Sequence, residues 1–564
     1  MELDDTIQHY IAKEFDKIVT YYLKIKGYNS QHKIHCSVVI PPKSIKYDFS
    51  INLIMGISHT LGIDPLSLSE EFFSLIVKNP RLSQIIEDIT LVKPGFFINF
   101  NIQNKIVVKQ IKKILNQRAN YGAYPKNSRE KVIIEFISAN PTGPLHIGHG
   151  RGAAIGEALS RILKHLGYEV VKEYYLNDLG NQMRILEESV KFRYKQLQGK
   201  IIHAPKEYYK GQYIFTIAKR LLHKYNKMSN IVDLRTEIIN DIVGSIKHDI
   251  QQLGIEFDSW FYESSLLKNA NNSNNNQITE IIKHLSDKGY TYLKNDVLWL
   301  STTQFGDDKD RVLQKIDGQY TYFALDIAYH INKLKRGFKQ IINVWGADHY
   351  GYISRIKSFI KMLGLNQKII NIVLYQLVSL VKDNHIVTMS TREGEFIPLN
   401  TIINKVGANI CKFFFLLRDP YSHLEFNLQL MQSNIKQNPL FYIQYAYARC
   451  SSILKASKKL DRIVLDVDVD ITVLNTEIER SLIKYLIIYN DILETCKRNM
   501  SPHYLTVYLI KLADVYHKFY EMCPVLLHGK NIVLEASRLK LVECVMIIIH
   551  NVFNLLGISP MDTM

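Results

Sequence analysis

The alternation of apolar and polar positions is clearest between Lys131 and Leu176, where it predicts a strand, a helix and a second strand. KVIIEFI, which begins at Lys131, is a nearly continuous apolar run, as is typical of a parallel strand buried on both faces. After a loop, apolar residues recur on one helical face, namely Ile155, Leu159, Ile162, Leu163 and Leu166. EVVKEYYL, which ends at Leu176, supplies the next strand. This order predicts one βαβ unit of a doubly wound parallel sheet.

The same patterns divide the rest of the chain into three regions. Helical spacing near the amino terminus and the strand-like KPGFFINFNI predict a small α/β domain. A polar, mainly helical insertion contains NANNSNNNQ, which we expect to be a surface loop. The sheet should resume with VLWLSTT, IINVWGADH and IVLYQLVSLV, before an all-helical carboxy-terminal region. The predicted domains are 1–110, small α/β; 111–437, α/β with a helical insertion at about 183–295; and 438–564, all-α.

Composition adds a basic charge to an otherwise ordinary globular chain. Of its 564 residues, 47% are hydrophobic and 22% are charged. Lysine and arginine outnumber aspartate and glutamate by 70 to 54, which gives a formal net charge of +16. A basic balance suits a polyanionic partner such as nucleic acid, but it is also typical of a solvated surface, so both interpretations stay open at this point.

Cysteine spacing and hydropathy predict the compartment. The six cysteines lie far apart and no pair has CxxC spacing, which disfavours a zinc site and a disulfide framework. The first residues are acidic and then amphipathic, unlike a signal peptide. The most apolar stretch, from Val545 to Ile558, is too short to span a bilayer. We therefore expect no membrane contact and a reducing, cytoplasmic location.

The loop after the first strand of the βαβ unit, SANPTGPLHIGHGRG, brings two histidines to the start of a helix. A helix amino terminus offers unpaired N–H groups and a positive dipole end, which suit phosphate. His146 and His149 could both face one anion, and Gly148, Gly150 and Gly152 would let a nucleotide approach the backbone. A nicotinamide-dependent dehydrogenase is the alternative, but the glycine spacing does not fit G-x-G-x-x-G.

Several long stretches resemble one family. SANPTGPLHIGHGRGAAIGEAL resembles the signature of the class I aminoacyl-tRNA synthetases, and of the arginyl-tRNA synthetases in particular. The same family is indicated by YYLNDLGNQ, FGDDKDRVLQKIDGQYTYFALDIAYH, VWGADHYGYISR and NPLFYIQYAYAR, in order along nearly the whole chain. The resemblance implies a Rossmann-type parallel-sheet catalytic domain, an amino-terminal domain that contacts the tRNA elbow, and an all-α anticodon-binding domain.

The resemblance also implies the reaction. The carboxylate of L-arginine would attack the α-phosphate of ATP to give arginyl-adenylate and pyrophosphate, and the arginyl group would pass to the 3′-terminal adenosine of tRNA(Arg). Magnesium would take part as MgATP, with no tightly bound protein metal site. The family further implies a monomer, and arginine activation that requires bound tRNA. A basic chain would then bind tRNA in a salt-sensitive way.

The ATP site implied by the resemblance is the loop and the start of the helix. Its residues would be Ala139, Asn140, Pro141, Thr142, Gly143, Pro144, Leu145, His146, Ile147, Gly148 and His149. Among them, His146 and His149 would be catalytic residues at the phosphates, and Gly148 would make room for the adenosine.

By the same resemblance, Glu135 and Asp326 would hold the guanidinium of arginine, which is planar, always charged and best bound by carboxylates. Tyr322 would lie beside the guanidinium, while Asn140 and His349 would hold the amino-acid end. Simpler interpretations remain open: Glu135 as a strand carboxylate that meets a lysine, Asp326 as a helix cap, and Tyr322 as a core residue.

Class I enzymes also carry a mobile K-M-S-K loop, and two stretches compete for that role. KMSN at 227–230 lies in the predicted helical insertion, where a helix cap is the simpler interpretation. TMSTR at 388–392 follows the strands after GADH and is the better match, although Thr388 replaces the first lysine. Its catalytic residues would be Met389, Ser390 and Arg392. The cation that meets the leaving pyrophosphate could be Arg392, Lys382 or Lys309.

A non-catalytic relative that only binds tRNA is a third hypothesis. Such a protein is expected to have lost the two histidines or the arginine-binding residues, and this chain retains all of them. The sequence therefore favours arginine–tRNA ligation.

Overall fold

The computed structural model describes residues 6–28, 36–42, 45–225, 228–267, 277–382, 385–387, 397–433, 437–458 and 470–563. The chain forms an amino-terminal α/β region, a central region built on a parallel sheet, and a carboxy-terminal group of helices. All six cysteines are free thiols. Of the helices in the described ranges, none combines the length and the apolar character that crossing a membrane requires.

The amino-terminal region is a four-stranded antiparallel sheet packed against helices, in the strand order β1-β2-β4-β3. Its elements are α1 (Ile7–Ile25), β1 (Val38–Val39), β2 (Phe49–Ile51), α2 (Ile54–Leu61), α3 (Pro65–Val77), β3 (Ile86–Val92) and β4 (Phe97–Ile102). Helix α1 buries Ile11, Phe15 and Ile18 on one face, as its periodicity predicts. A connecting helix, α4 (Asn104–Gln117), leads to the central region.

The central region contains a five-stranded parallel sheet in the order β12-β11-β5-β6-β7. Its strands and the helices between them are β5 (Lys131–Phe136), α5 (Ile147–His165), β6 (Glu169–Leu176), α6 (Asn181–Leu197), α7 (Gln212–Tyr225), α8 (Leu234–Gln252), β7 (Ser259–Tyr262), α9 (Gln277–Asp287), α10 (Tyr322–Lys335), β11 (Gln340–Gly346), α11 (Ile353–Met362) and β12 (Ile370–Tyr375). The predicted βαβ unit is thus β5, α5 and β6, and strands β5 and β6 pair in parallel register.

Two predictions about this sheet are wrong. Strand β7 belongs to the parallel sheet although it lies within 183–295, which we predicted to be a helical insertion. VLWL forms β9 (Val297–Leu300), but that strand pairs with β8 (Thr291–Lys294) and β10 (Arg311–Gln314) in a separate antiparallel sheet. Apolar content alone does not tell which sheet a short strand joins, because any partner can complete its hydrogen bonds.

The run IVLYQLVSLV is also divided between two sheets. Its first half ends β12, and its second half belongs to β13 (Val378–Lys382), which pairs with β14 (His385–Val387) and β15 (Leu424–Asn427). The helices α12 (Leu399–Val406), α13 (Ala408–Phe415) and α14 (Leu428–Met431) complete this region.

The carboxy-terminal region is helical, as predicted. Its helices are α15 (Pro439–Ser457), α16 (Glu477–Ile487), α17 (Tyr489–Asn499), α18 (His503–Met522) and α19 (Ile532–Leu556). It packs against the amino-terminal region, where the Asp491 carboxylate accepts hydrogen bonds from the Thr6 hydroxyl and the backbone N–H of Gln8 at the start of α1. The amino-terminal and carboxy-terminal regions thereby contact each other directly.

Candidate active site

A cavity of about 950 Å³ opens at the carboxyl edge of the parallel sheet. All five strands contribute to its lining, at or just after their last residues. The carboxyl edge is where open parallel α/β sheets bind ligands, because the loops and the helix amino termini converge there. We call the part formed by His146, Gly148 and His149 the histidine end, and the part formed by Glu135, Glu263 and Asp326 the carboxylate end.

The histidine end is built by the first turn of α5. His146 is the N-cap residue, and its Nδ1 accepts a hydrogen bond from the backbone N–H of Gly148 at 3.1 Å. The backbone N–H of His146 donates in turn to Nδ1 of His149 at 3.2 Å. The two imidazole rings stack with their centroids 3.8 Å apart. This reciprocal cap satisfies helix N–H groups and fixes both rings.

The same bonds decide which ring nitrogen carries the proton. Because both Nδ1 atoms accept hydrogen bonds, the proton of each neutral ring must lie on Nε2. Burial lowers the pKa of His146, and burial together with the neighbouring His146 lowers the pKa of His149 well below its usual value. Both imidazoles are therefore neutral at pH 7, and each presents an Nε2–H donor.

The glycines after the histidines serve packing rather than clearance for a nucleotide, which corrects our prediction for Gly150 and Gly152. A Cβ on Gly150 would come within 2.8 Å of the side chains of Leu399 and Phe415, and one on Gly152 within 2.9 Å of Tyr375. These glycines thus let α5 approach its neighbours closely. Gly148 does line the cavity, and a Cβ there would lie 3.0 Å from the His146 ring.

The loop between β5 and α5 turns sharply at the edge of the cavity. Ile137 and Ser138 both have positive φ angles, of 66° and 41°, which non-glycine residues seldom adopt. Ala139 and Asn140 follow and line the cavity, and Asn140 donates to Gln182 at 2.8 Å. The other predicted ATP-site residues lie outside the lining: Pro141, Thr142, Gly143, Pro144, Leu145 and Ile147. Leu145 and Ile147 are fully buried in the core.

The carboxylate end faces one side of α10. Thr321 caps this helix, so the interpretation of Asp326 as a helix cap is wrong. Asp326 lies one turn after Tyr322, and both residues line the cavity. Tyr322 is 54% exposed, which also excludes the interpretation as a core residue. The structure therefore brings both predicted residues of this helix to the site.

Three carboxyl groups meet at this end of the cavity. Burial, with repulsion from Glu263 and Glu135, raises the pKa of Asp326 to about 8. Burial, opposed by a hydrogen bond from Tyr175 and assisted by Asp178, raises the pKa of Glu263 to about 7. The Tyr175 hydroxyl donates to Glu263 at 2.6 Å. Because burial is the main cause of both raised pKa values, Asp326 and Glu263 favour their neutral forms when no ligand is bound.

Glu135 lies near the end of β5, between the cavity and a buried lysine. It lines the cavity, as predicted. It also accepts a hydrogen bond from the buried ammonium of Lys333 at 2.6 Å, which is the lysine contact that the sequence left open as the simpler interpretation. The two interpretations are compatible, because a carboxylate has two oxygens.

His349 lies on a 3-10 turn, Ala347–Tyr352, that follows β11. Its ring lies 5.9 Å from Trp345 and 5.8 Å from Tyr352, and all three residues line the cavity. The five residues predicted to bind the amino acid are therefore gathered around one cavity: Glu135, Asn140, Tyr322, Asp326 and His349.

Comparison with known proteins identifies the family. The chain is 40% identical over 535 residues to an arginine–tRNA ligase of Lawsonia intracellularis, covering 93% of this chain and 95% of that protein. It is also 40% identical over 554 residues to an arginine–tRNA ligase of Vesicomyosocius okutanii, covering 92% of this chain and 93% of that protein. The chain belongs to the arginyl-tRNA synthetase family.

Family domains and solved structures agree with this assignment. Residues 110–410 match the catalytic domain of the class I tRNA synthetases (R), residues 5–102 the arginyl-tRNA synthetase amino-terminal domain, and residues 443–564 the DALR anticodon-binding domain. A Campylobacter jejuni arginyl-tRNA synthetase structure aligns at a TM-score of 0.73 and 32% identity, over 82% of this chain and all of its own. A Thermus thermophilus arginyl-tRNA synthetase shares the fold, with a TM-score of 0.75 and 18% sequence identity; the alignment covers 98% of this chain and 100% of that one. The predicted family, fold class and enzyme class are confirmed.

Sequence reasoning missed several residues of this synthetase site. Glu263 escaped notice because it follows β7, the strand that we placed in a helical insertion, although SWFY at 259–262 has aromatic strand character. Lys333 lies on the same face of α10 as Tyr322 and Asp326. Spacings of four and seven residues place Tyr322, Asp326 and Lys333 on one side of the helix and could have indicated it.

The two stretches that compete for the K-M-S-K role differ in whether the structure describes them. Thr388, Met389, Ser390 and Arg392 lie outside the described residues, as do the side chain of Lys382 and residues 269–276 of the asparagine-rich stretch. The described chain resumes at Ile397, and Pro398 forms a β-bridge with His146. The competing stretch is a 3-10 turn, Met228–Asn230, between α7 and α8, and does not line the cavity; neither does Lys309.

Proposed function

We propose that the cavity binds the guanidinium of L-arginine at the carboxylate end and ATP at the histidine end. The family catalyses arginine–tRNA ligation with ATP, and this chain is a member of it over nearly its whole length. The observation that carries the division of the cavity is its lining, in which two capping imidazoles at a helix amino terminus share one cavity with the carboxyl groups of Glu135, Glu263 and Asp326. Carboxyl groups that line a cavity together fit a ligand that brings positive charge.

Arginine suits the carboxylate end chemically. Its guanidinium is planar, keeps its charge at any working pH and can offer N–H groups to more than one carboxylate at once. Glu135 and Asp326 would accept these N–H groups, with Tyr322 beside them at the mouth of the cavity. Asn140 and His349 would then hold the amino and carboxylate groups of the substrate, at the side nearer to the histidines.

The histidine end would stabilise charge on the phosphates. An oxygen of the arginine carboxylate attacks the α-phosphorus of ATP, the bond to the β,γ-phosphates breaks, and pyrophosphate leaves with the electron pair. The Nε2–H groups of His146 and His149 would donate to phosphate oxygens as this charge develops. Since the rings are neutral and fixed before ATP binds, little reorganisation is needed at the moment of reaction.

Magnesium would enter with ATP rather than as a resident ion. Across the ranges that the structure describes, no group of three or more His, Cys, Asp or Glu side chains could hold a metal ion. We propose that the ion is bound by the phosphates of MgATP. Met389, Ser390 and Arg392 would lie beside the leaving pyrophosphate, a role that rests on the sequence resemblance alone.

The remaining roles are proposals of the same kind. The amino-terminal region would contact the tRNA elbow and the carboxy-terminal helices the anticodon region, with domain limits at residues 110 and 437. The formal charge of +16 suits this partner and predicts salt-sensitive tRNA binding. We also propose a monomer that works in the cytoplasm.

Aminoacylation of total tRNA tests the proposed function directly. The purified protein, given ATP and radiolabelled arginine, should charge tRNA, and radiolabelled lysine in a parallel reaction should not be incorporated. His149→Ala should reduce the rate strongly. A protein that charges no arginine, or whose charging rate is the same after His149→Ala, would contradict the proposal.

A further inference from the structure

Lys333 is a buried cation that the reaction described above does not use. The residue is 0% exposed, and it lies in the last turn of α10, beneath the carboxylate end of the cavity. It does not line the cavity itself. Burying an ammonium group is costly unless partners replace the water that it loses, so the contacts of Lys333 indicate what the charge does there.

The Lys333 ammonium is fixed on three sides. It donates to Oε2 of Glu135 at 2.6 Å and to Oδ1 of Asn343 at 3.1 Å. It also lies 4.0 Å from the centre of the Tyr329 ring, a cation–π contact. The Tyr329 hydroxyl donates to Glu173 at 2.7 Å, which anchors the ring. An ammonium with three such contacts has no freedom to swing away.

Lys333 meets a row of polar side chains that crosses the parallel sheet. Residues at one level of four neighbouring strands pair in register: Asn343, Glu135, Glu173 and Ser259. Helix α10 covers this row with two cations. Arg336 binds both oxygens of Glu173, at 2.6 and 2.9 Å, and Glu173 does not line the cavity. Glu173 is therefore fully engaged inside the protein.

Glu135 differs from Glu173 because only one of its oxygens is engaged. Lys333 occupies Oε2, and no other donor in the described part of the chain reaches this carboxylate. Glu135 lines the cavity, and its Oε1 accepts no hydrogen bond from the described residues. Lys333 therefore fixes which oxygen a guanidinium would meet.

The same network reaches Asp326 through the helix. Asn343, whose Oδ1 accepts from Lys333, donates through Nδ2 to Nε2 of His330 at 2.9 Å. His330 donates through Nδ1 to the backbone carbonyl of Asp326 at 2.7 Å. Burial and the nearby Lys333 lower the pKa of His330 to about 3, so this ring stays neutral and the chain of donors keeps one direction. The network of Lys333 thus holds the Glu135 carboxylate directly and reaches only the backbone of Asp326.

We propose that Lys333 is a positioning residue for arginine recognition. It fixes the Glu135 carboxylate with Oε1 toward the cavity, so that the guanidinium bridges Glu135 and Asp326. This inference rests on the proposed arginine site. Removing the lysine should weaken arginine binding without changing ATP binding, because the histidine end shares none of these contacts.

The test compares Lys333→Met with a matched variant, Lys412→Met, in the full-length protein. Lys412 is another buried lysine, in α13, and it does not line the cavity. Its ammonium donates to the backbone carbonyl of Gly557. In ATP–pyrophosphate exchange with tRNA present, Lys333→Met should raise the KM for arginine by about 10- to 100-fold, since small misplacements of a binding group can cost that much. The KM for ATP should stay at the wild-type value. Lys412→Met should lower the melting temperature and leave both KM values unchanged.

The double variant Glu135→Gln/Lys333→Met makes the test independent of folding, because it removes both charges of the buried pair together. If Lys333 acts through Glu135, the double variant has the same KM for arginine as Glu135→Gln alone. A further rise in the double variant, or an equal rise of both KM values in Lys333→Met, would overturn the role of Lys333. So would an unchanged KM for arginine in Lys333→Met while Glu135→Gln raises it. An unchanged KM in Glu135→Gln would instead overturn the proposed arginine site, and this inference with it.

Discussion

The histidine end and the carboxylate end of the cavity differ in how far apart their residues lie along the chain. The histidine end is made by one helical turn, in which His146 and His149 cap each other through backbone N–H groups. The carboxylate end draws Glu135, Glu263 and Asp326 from three separate elements. A local capping motif can be recognised in a short stretch of sequence, whereas a convergent cluster depends on the sheet that brings its members together.

The two ends also differ electrostatically. The histidines are neutral because burial disfavours their charged form, and they offer fixed N–H donors. Asp326 and Glu263 resist ionisation because burial and neighbouring carboxylates raise their pKa values. The histidine end thus has its donors in place before ATP binds, whereas the carboxyl groups of the carboxylate end ionise when a positively charged ligand binds.

Asp326→Asn should give the largest change and affect only the carboxylate end. We expect the KM for arginine in ATP–pyrophosphate exchange to rise by roughly two to three orders of magnitude, since losing one partner of a buried charge pair costs about 2–5 kcal/mol. The KM for ATP should not change, and the free protein should melt at a higher temperature. Asp287→Asn, at an exposed site that ends α9, is the control. An unchanged KM for arginine would show that Asp326 does not bind the guanidinium.

At the histidine end, His149→Asn and His149→Ala separate chemistry from capping. Both variants lack the Nε2–H donor, and we expect kcat for activation to fall about 100-fold in each, as for a lost oxyanion donor. Asparagine retains an acceptor near the position of Nδ1, whereas alanine leaves the His146 N–H unpaired and should lose about 1 kcal/mol of stability. Urea unfolding measures this difference. Wild-type kcat in His149→Asn would show that the ring only caps the helix.

The pH dependence of substrate binding should differ between the ends. Asp326 and Glu263 carry protons below about pH 8 and pH 7 in the free protein, and a guanidinium binds their ionised forms. The KM for arginine should therefore fall as pH rises from 6 to 8.5, by at most about tenfold per unit for each proton released. Asp326→Asn should flatten this dependence. The KM for ATP should change little, because both histidines are already neutral; a steep change would contradict their lowered pKa values.

The smallest expected effect concerns how α5 is anchored beneath the histidine end. A Cβ on Gly156 would lie 2.2 Å from Cγ of Phe136, so Gly156→Ala should lower the free energy of unfolding by about 1–3 kcal/mol. In α8, a Cβ on Gly244 would meet nothing within 4 Å, and Gly244→Ala should instead raise stability by about 0.5–1 kcal/mol. The midpoints of urea unfolding measure the stability of both variants relative to the wild type. Equal stabilisation by both alanines would mean that close packing at Gly156 is unimportant.

Much of this site could be predicted from the sequence. The residues that were missed or misassigned depend on tertiary contacts, which the sequence does not show. His146, Asn140, Glu135 and the residues of α10 follow local patterns or contiguous motifs. Glu263 could not be placed because β7 is only four residues long and lies among helices, so its membership in the parallel sheet is a tertiary fact. Gly150 and Gly152 were assigned to the nucleotide because the sequence does not show which side chains pack against a helix.

The sequence by itself determined the elements whose causes are local: the helical periodicity of α1 and α5, the apolar strand β5, and the position of two histidines at the start of α5. Its longer motifs also determined the family. Only the tertiary structure decided that Lys333 binds one oxygen of Glu135, and which carboxyl groups share a cavity. The physical reason is distance along the chain: Lys333 contacts Glu135 across 198 residues, and no periodicity records a contact that exists only after the sheet has formed.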